Sequence, residues 1–341
     1  MAASSQGARP TPEHIFNVLN AYQQTGALRA AIELDLFTAI DEGNHTAEQI
    51  AERVKASRKG VRILCDYLTI VGFLTKEERK YMLAADGALF LSRRSPAYMG
   101  TIVEFLGNET HHANFRQLTE AVRRGGTVGN NGNNRKPADD LWVSFARSMA
   151  PLTVPNAIFI ASLVEADEGR PCRVLDIAAG HGMYGITIAK QNPKAQVTAL
   201  DWPAVLQVAK ENAEKAGVAG RYTLRPGSAF EAELGNDYDI VLLTNIFHHF
   251  DRNACEELMH RVYEALKPGG RAVTLEFVPN EDRVSPVTAA AFGLIMLADT
   301  DAGDAYVFSE YEDMFANVGF TRTSPYPVPQ GPQTVLISEK A

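Results

Sequence analysis

The sequence predicts an α/β protein with a mostly helical module in front of it. Two observations carry that expectation. From about residue 166 onward, apolar strand-like runs alternate with helical patterns to the last residues, as in a sheet covered by helices. Ahead of that, residues 12–105 place apolar side chains at helical spacing, with one short strand-like interruption. The chain has 341 residues, enough for two domains, and its 45% hydrophobic content supports a sizeable core.

Residues 1–11 are rich in Ala, Ser and Gly and lack the apolar stretch of a secretion signal, so a disordered tip is expected. His14 to Ile40 carries Ile15, Val18, Leu19, Tyr22, Leu28, Ile32 and Leu36 at helical spacing. Thr46-Ala47-Glu48-Gln49 reads as a capping box, and Ser57 as the cap of a helix running through Leu68. Val71 to Thr75 and Lys76 to Leu83 then read as a two-stranded wing, which completes a winged helix-turn-helix pattern. Such a module can bind DNA, and Arg53, Lys55, Arg58, Lys59 and Arg62 could face phosphates. Glu48, Glu52, Asp66, Glu77 and Glu78 are interleaved with them, and the whole chain carries a net charge of −8. A dimerisation module is therefore expected, with no nucleic-acid partner.

Residues 106–165 read as a helical connector, with a Gly/Asn-rich loop at 125–140 and a helix from about Pro137 to Val164. In the last domain, residues 166–341, strands are expected at 172–177, 196–201, 221–225, 238–244, 271–277 and 332–338. Helices are expected at 184–191, 203–216, 253–266 and 309–317, with Gly217, Gly269-Gly270 and Gly319 stopping three of them. No apolar run reaches the ~18 residues of a membrane span, so no membrane partner is expected. Cys65, Cys172 and Cys255 are odd in number and far apart, without metal or redox spacing. They read as small buried residues in a reducing, cytoplasmic setting, and no metal site is expected.

The most informative stretch is Arg173 to Gly185. An apolar strand runs into Asp176, a loop with Gly180 and Gly182 follows, and Gly185 opens a helical pattern. A second apolar strand, Val197 to Leu200, ends in Asp201. Strand, glycine loop, helix start and a strand-end carboxylate make a nucleoside-binding half-site, with the carboxylate on the ribose hydroxyls. The glycines alone also fit a dinucleotide fingerprint. A dinucleotide site, however, sets its glycines directly at the strand end, so that pyrophosphate reaches the helix N-terminus. Asp176 sits four residues before Gly180 and would repel a phosphate. A cationic nucleoside without phosphates is favoured by such a carboxylate, and S-adenosylmethionine, with its sulfonium and amino group, is such a ligand, favoured over NAD.

The next constellation, Asn245-Ile246-Phe247-His248-His249-Phe250-Asp251, follows an apolar strand and so belongs at the same sheet edge. A histidine there suits a general base, because its ordinary pKa of ~6.5 leaves it neutral at physiological pH. A structural histidine, or a His-His metal pair with a third ligand, are the other readings. His111-His112 reads as a surface or domain-contact pair.

In combination these motifs resemble, over nearly the whole chain, the dimeric small-molecule O-methyltransferases, the plant caffeate and flavonoid type with bacterial relatives. Val174 to Gly182 resembles that family's S-adenosylmethionine motif, and Leu200-Asp201-Trp202-Pro203 its ribose motif. Gly227-Ser228-Ala229-Phe230 stands at its adenine motif and Ile246-Phe247-His248 at its catalytic segment. Phe145 to Met149 resembles a helix whose Met lines the acceptor pocket, and Thr153 a hydroxyl residue near the cofactor carboxylate. The resemblance implies a Rossmann-like domain with a mixed seven-stranded sheet behind a winged-helix dimerisation domain, and a homodimer. It implies His248 and Glu276 as catalytic residues. Asp176, Gly180, Gly182, Asp201, Trp202, Ser228, Ala229, Phe230, Asn245, Thr153 and Met149 would hold the cofactor. Met149, Phe145, His249, Phe292 and Met296 would meet a small aromatic acceptor, and Phe105 and Phe115 could join its wall.

The chain also departs from the family. Ser228 stands where Asp is common, Asn245 where Lys is, and His249 where plant enzymes often carry Asp. The second family glutamate falls near Ala305-Tyr306, and only Asp304 is close to it. The expected reaction is O-methylation of a phenol with His248 as base. Methylation at carbon, and a non-catalytic cofactor-binding or winged-helix regulator, are the alternatives.

Overall fold

The computed structural model describes residues 10–129 and 139–341; the first nine residues of the expected tip and positions 130–138 of the Gly/Asn-rich loop lie outside the described residues. The chain divides into two compact units, residues 1–107 and 108–341.

In the first unit the periodic run from His14 breaks into α1 (Glu13–Leu19), α2 (Tyr22–Glu33) and α3 (Leu36–Asp41). Asp35, in a left-handed conformation, makes the last break. Ile15, Val18, Leu19 and Tyr22 are exposed, whereas Ile32 and Leu36 join a core with Ile50, Val61, Leu68 and Tyr81. Thr46 and Gln49 form the reciprocal cap of α4 (Ala47–Arg53). Ser57 Oγ accepts the Gly60 amide at the start of α5 (Arg58–Ile70). β1 (Leu74–Glu77) and β2 (Lys80–Leu83) pair antiparallel as the wing, and α6 is Ile102–Leu106. Three of the five basic residues considered for DNA are drawn into ion pairs: Arg53 with Glu42 and Asp35, Arg58 with Glu48, Arg62 with Asp66.

The second unit opens with α7 (Glu109–Arg116), α8 (Leu118–Arg124) and the long α9 (Asp139–Leu163). Strands and helices then alternate: β3 (Cys172–Ile177), α10 (Met183–Gln191), β4 (Ala195–Asp201), α11 (Pro203–Lys215), β5 (Tyr222–Pro226) and β6 (Tyr238–Thr244). They continue as α12 (Arg252–Ala265), β7 (Leu266–Glu276), α13 (Val287–Asp299), α14 (Phe308–Val318), β8 (Arg322–Pro327) and β9 (Thr334–Glu339). The sheet order is β5-β4-β3-β6-β7-β9-β8. The first five strands are parallel, and β9 pairs antiparallel with both β7 and β8. The order reverses between β3 and β6, which opens a crevice beyond their carboxyl ends.

Alternation along β3 assigns each residue to a face. Val174 packs with Ile160, Tyr184, Ile186 and Leu206 from α9, α10 and α11. Leu175 and Ile177 pack with Leu258, Val262 and Phe315 from α12 and α14. Asp176 shares the face of Val174 and lies fully buried under α10.

Two expectations are corrected here. Gly269-Gly270 does not stop a helix: α12 ends at Ala265, ahead of Pro268, and the two glycines lie inside β7. β8 falls outside the six strand ranges placed from the sequence, although the resemblance implies seven strands. Pro325 and Pro327 lie within it, which is tolerable because β8 is the outermost strand, where the missing amide donors are not needed for pairing on the solvent side. Among the described residues no helix is long and apolar enough to cross a membrane.

Candidate active site

The crevice is built first by the loop between β3 and α10. Ala178, Gly180 and Gly182 all take left-handed backbone conformations, at φ +53, +58 and +75°. At Gly182 both conformation and space require glycine, since a Cβ there would stand 2.6 Å from the Tyr222 hydroxyl. Ala178 holds the same region with a side chain, a strain of about 1–2 kcal/mol of the kind kept at functional loops. His181 is buried in this loop, its Nδ1 accepting the Met183 amide at 3.1 Å. Burial pushes its pKa down to about 4, so it is a neutral ring with its proton on Nε2.

Asp201 closes the loop from the end of β4. Gly180 N donates to its Oδ2 at 2.7 Å and Trp202 N to its Oδ1 at 2.6 Å. Burial raises the carboxyl to about 6, against the pull of these two amides. Each oxygen keeps a second lone-pair direction, and Asp201 lines the cavity. The same cavity is walled by Gly227, Ser228, Ala229 and Phe230 after β5, and by Trp142 and Phe145 from α9. Ser228 Oγ accepts the Phe230 amide, and the Phe230 ring meets Phe250 edge-on at 4.9 Å.

Beyond β6, Asn245 turns the chain with φ +57°, a conformation Asn tolerates. A tight turn, Phe247–His249, follows. Glu276, fully buried at the end of β7, organises it. The amides of Ile246 and Phe247 donate to Glu276 Oε1 at 3.0 and 2.8 Å, with that of His248 longer at 3.5 Å. His248 Nδ1 donates to Oε2 at 2.5 Å. A buried carboxylate needs such donors, and here they fix the His248 ring with its proton on Nδ1. Nε2 is left with its lone pair, the atom a general base uses. The ring lies 4.2 Å from that of His249 and edge-on to Phe292 at 4.8 Å. His249 lines the cavity against Trp142, and burial with the neighbouring His248 holds its pKa well below the ordinary value.

The structure brings Gly180, Asp201, Trp202, Ser228, Ala229, Phe230, Asn245, Phe145 and His249 into one cavity lining. His248 is not part of that lining; at 4% exposure, its ring borders those of His249 and Phe292. Other expected residues stand elsewhere. Asp176 does not face the cavity: its Oδ2 accepts the Gly185 amide, the third of α10, at 3.2 Å. It therefore satisfies a donor at the helix N-terminus from below. Gly182 starts that helix instead of lining the cavity. Thr153 turns its hydroxyl to Ala150 O at 2.8 Å, and neither it nor Met149 is in the lining. Met296 is buried in α13 away from the lining, and Phe115 is 39% exposed. Asp304 does not supply the second acid, since its carboxylate turns to its neighbour's amide, Ala305 N, and to Arg283 at 3.9 Å. His111 reaches Asp299 of α13 at 2.5 Å. Sequence reasoning missed Trp142, His181 and Tyr184 in the lining. Trp142 and Phe145, three apart on a helix, were the available signal. Among the described residues no group of three or more His, Cys, Asp or Glu is placed to hold a metal ion.

Burial lifts the Asp176 carboxyl from 3.8 to about 8, and its Oδ1 has no hydrogen-bond partner among the described residues. Between those pH values the folded chain binds more protons than the unfolded one, so this group's contribution to stability falls as pH rises. Asp176→Asn is expected to flatten the decline in melting temperature between pH 4 and 8; an unchanged slope in that variant would contradict the assignment.

A family model described as an O-methyltransferase domain matches residues 150–321, and one described as an O-methyltransferase dimerisation domain matches residues 16–93. The chain is 28% identical over 326 residues to 3-hydroxy-5-methyl-1-naphthoate 3-O-methyltransferase of Streptomyces sahachiroi, covering 94% of this chain and 93% of that protein. It is 27% identical to acetylserotonin O-methyltransferase of Gallus gallus over 326 residues, covering 91% and 92%. A crystal structure from Nostoc punctiforme, assigned to the O-methyltransferases, superposes with a TM-score of 0.93 at 45% identity, covering 98% of this chain and 100% of that one.

Proposed function

Since the chain belongs to the O-methyltransferase family, with that family's dimerisation domain, we propose that it methylates a hydroxyl of a small aromatic molecule from S-adenosylmethionine, with His248 as general base. The observation that carries this reading is the His248–Glu276 contact, in which a buried carboxylate held by backbone amides fixes one ring nitrogen and leaves the other to accept a proton. The named substrates of the two relatives above, a hydroxynaphthoate and acetylserotonin, support an aromatic acceptor.

The residues present fit the cofactor. Asp201 offers carboxylate lone pairs suited to two ribose hydroxyls, beside a loop whose backbone comes close to the cavity. Phe230 and Ser228 offer an aromatic face and a hydroxyl for a purine. Bound S-adenosylmethionine supplies an electrophilic methyl group on a sulfonium. A free phenol has a pKa of ~10 and is mostly protonated at neutral pH. His248 Nε2 takes that proton as the oxygen becomes nucleophilic, and Glu276 stabilises the resulting imidazolium through Nδ1. His249 stays neutral and offers a polar edge in an otherwise aromatic wall of Trp142, Phe145 and Phe250. Alignment of the reactants supplies much of the remaining acceleration.

Asp201→Asn is expected to raise the dissociation constant of S-adenosylhomocysteine by roughly 10–100-fold, the worth of one or two hydrogen bonds to a charged group. The asparagine must turn its NH2 toward the amide of Gly180 or of Trp202, so one loop contact is lost as well. Calorimetric titration checks this, and unaltered affinity would remove Asp201 from the site.

Exposed Phe16, Val18, Leu19 and Tyr22 in the matched dimerisation domain support a homodimer. Three cysteines without a disulfide support a cytoplasmic setting. The activity is tested by transfer of labelled methyl from S-adenosylmethionine to phenols, catechols, flavonoids and enolisable keto acids, with the product's labelled atom located by NMR. Label on a phenolic oxygen is the expected result. Label on carbon contradicts the O-methylation reading.

A further inference from the structure

We propose that Gln333 is a positioning residue that holds the Asn245 amide so that Asn245 Nδ2 and the Tyr184 hydroxyl form a donor pair for a carboxylate at the amino-acid end of the cofactor. The inference rests on the S-adenosyl reading above and deepens it.

Three amides from distant parts of the chain meet here. Asn156 Nδ2, on α9, donates to Gln333 Oε1 at 2.8 Å. Gln333 Nε2, just ahead of β9, donates in turn to Asn245 Oδ1. A primary amide has one end that only donates and one that only accepts. With Gln333 Oε1 taken by Asn156, its NH2 must face Asn245, and Asn245 must answer with oxygen. The end left to Asn245 is Nδ2. Gln333 is 8% exposed, so water does not compete freely for these contacts.

The second observation is independent. Tyr184 is 2% exposed and lines the cavity, yet its hydroxyl has no hydrogen-bond partner among the described residues. An unpaired buried hydroxyl is costly and marks a place where a ligand atom completes the site. The side-chain amides of Asn245 and Asn156 oppose the upward push that burial gives the Tyr184 phenol, so the three polar groups act on one another. Asn245 and Tyr184 share a lining with Gly180 and Asp201. An N–H donor and an O–H donor side by side match the two oxygens of a carboxylate, which a nucleoside with an amino-acid tail carries.

Wild type, Gln333→Glu and Tyr184→Phe are titrated with S-adenosylhomocysteine and with 5′-methylthioadenosine, which keeps the nucleoside and lacks the carboxylate. A glutamate at 333 only accepts, so Asn245 turns its NH2 toward it and shows the cavity an oxygen. The expected result is a weakening of S-adenosylhomocysteine by about tenfold or more in Gln333→Glu, with methylthioadenosine within about twofold. Tyr184→Phe removes one hydroxyl and is expected to weaken S-adenosylhomocysteine by about three- to tenfold, again without affecting methylthioadenosine. Equal losses for both ligands would reduce Gln333 and Tyr184 to fold support and overturn the proposal, as would undiminished S-adenosylhomocysteine binding. If wild type binds neither ligand, the nucleoside reading fails first and this proposal fails with it.

Discussion

His248→Ala is expected to lower the rate of methyl transfer by roughly 10²–10⁴-fold, the usual worth of a positioned general base, and to leave S-adenosylhomocysteine affinity within about twofold. The split between the two follows from position. His248 is not among the residues that line the cavity with Gly180 and Asp201, so removing its ring takes nothing from a nucleoside held there. It does take the imidazole whose proton position Glu276 sets. His249→Ala supplies the contrast. That ring lines the cavity against Trp142, so its loss is expected to act mainly on acceptor KM. Single-turnover measurement keeps product release from hiding either effect.

Glu276→Gln carries the second large effect. In the native site Oε1 accepts the amides of Ile246 and Phe247 while Oε2 accepts the His248 Nδ1 proton. A glutamine can keep its oxygen on the two amides, and the turn then survives. Its NH2 must point at His248 Nδ1, and two donors cannot face each other. The ring answers by moving its proton to Nε2, the atom that should receive the acceptor's proton. Transfer is expected to fall by roughly 10²–10⁴-fold while the protein stays folded, because the base is present in the wrong tautomer. Nitrogen-15 shifts of the His248 ring check the cause directly: protonated Nδ1 in wild type, protonated Nε2 in the variant. Wild-type activity in Glu276→Gln would leave Glu276 as a turn support only. Glu276→Ala is a harsher change, since it leaves buried amides unpaired, and is expected to cost about 3–5 kcal/mol of stability as a broken buried pair.

Much of this site was legible in the sequence, and the reasons are local. A glycine loop after an apolar strand and a carboxylate at the end of the next strand report backbone geometry within a short stretch, which places Gly180 and Asp201 in one lining. His248 was readable from its place after an apolar strand at the sheet edge, but Glu276 came from resemblance, because no local pattern ties residues 28 positions apart to one hydrogen bond. Asp176 was misplaced for a physical reason. Its position at the strand end suggests the crevice, but strand alternation puts it on the face of Val174, beneath α10, where its Oδ2 accepts the Gly185 amide of that helix. β8 escaped notice because two prolines look like a break, and only its edge position makes them tolerable. Gln333 and Asn156 were illegible altogether: they are 177 residues apart, and nothing in either neighbourhood announces the other.

The central claim is that His248 takes the acceptor's proton. Single-turnover methyl transfer by wild type and His248→Ala should be compared for two acceptors of one shape. One is an ordinary phenol of pKa ~10, and the other is acidic enough to be ionised at about pH 8. The account predicts a deficit of roughly 10²–10⁴-fold for the first acceptor and a deficit at least tenfold smaller for the second, which has no proton left to lose. An equal deficit for both acceptors would show that His248 shapes the pocket without serving as the base.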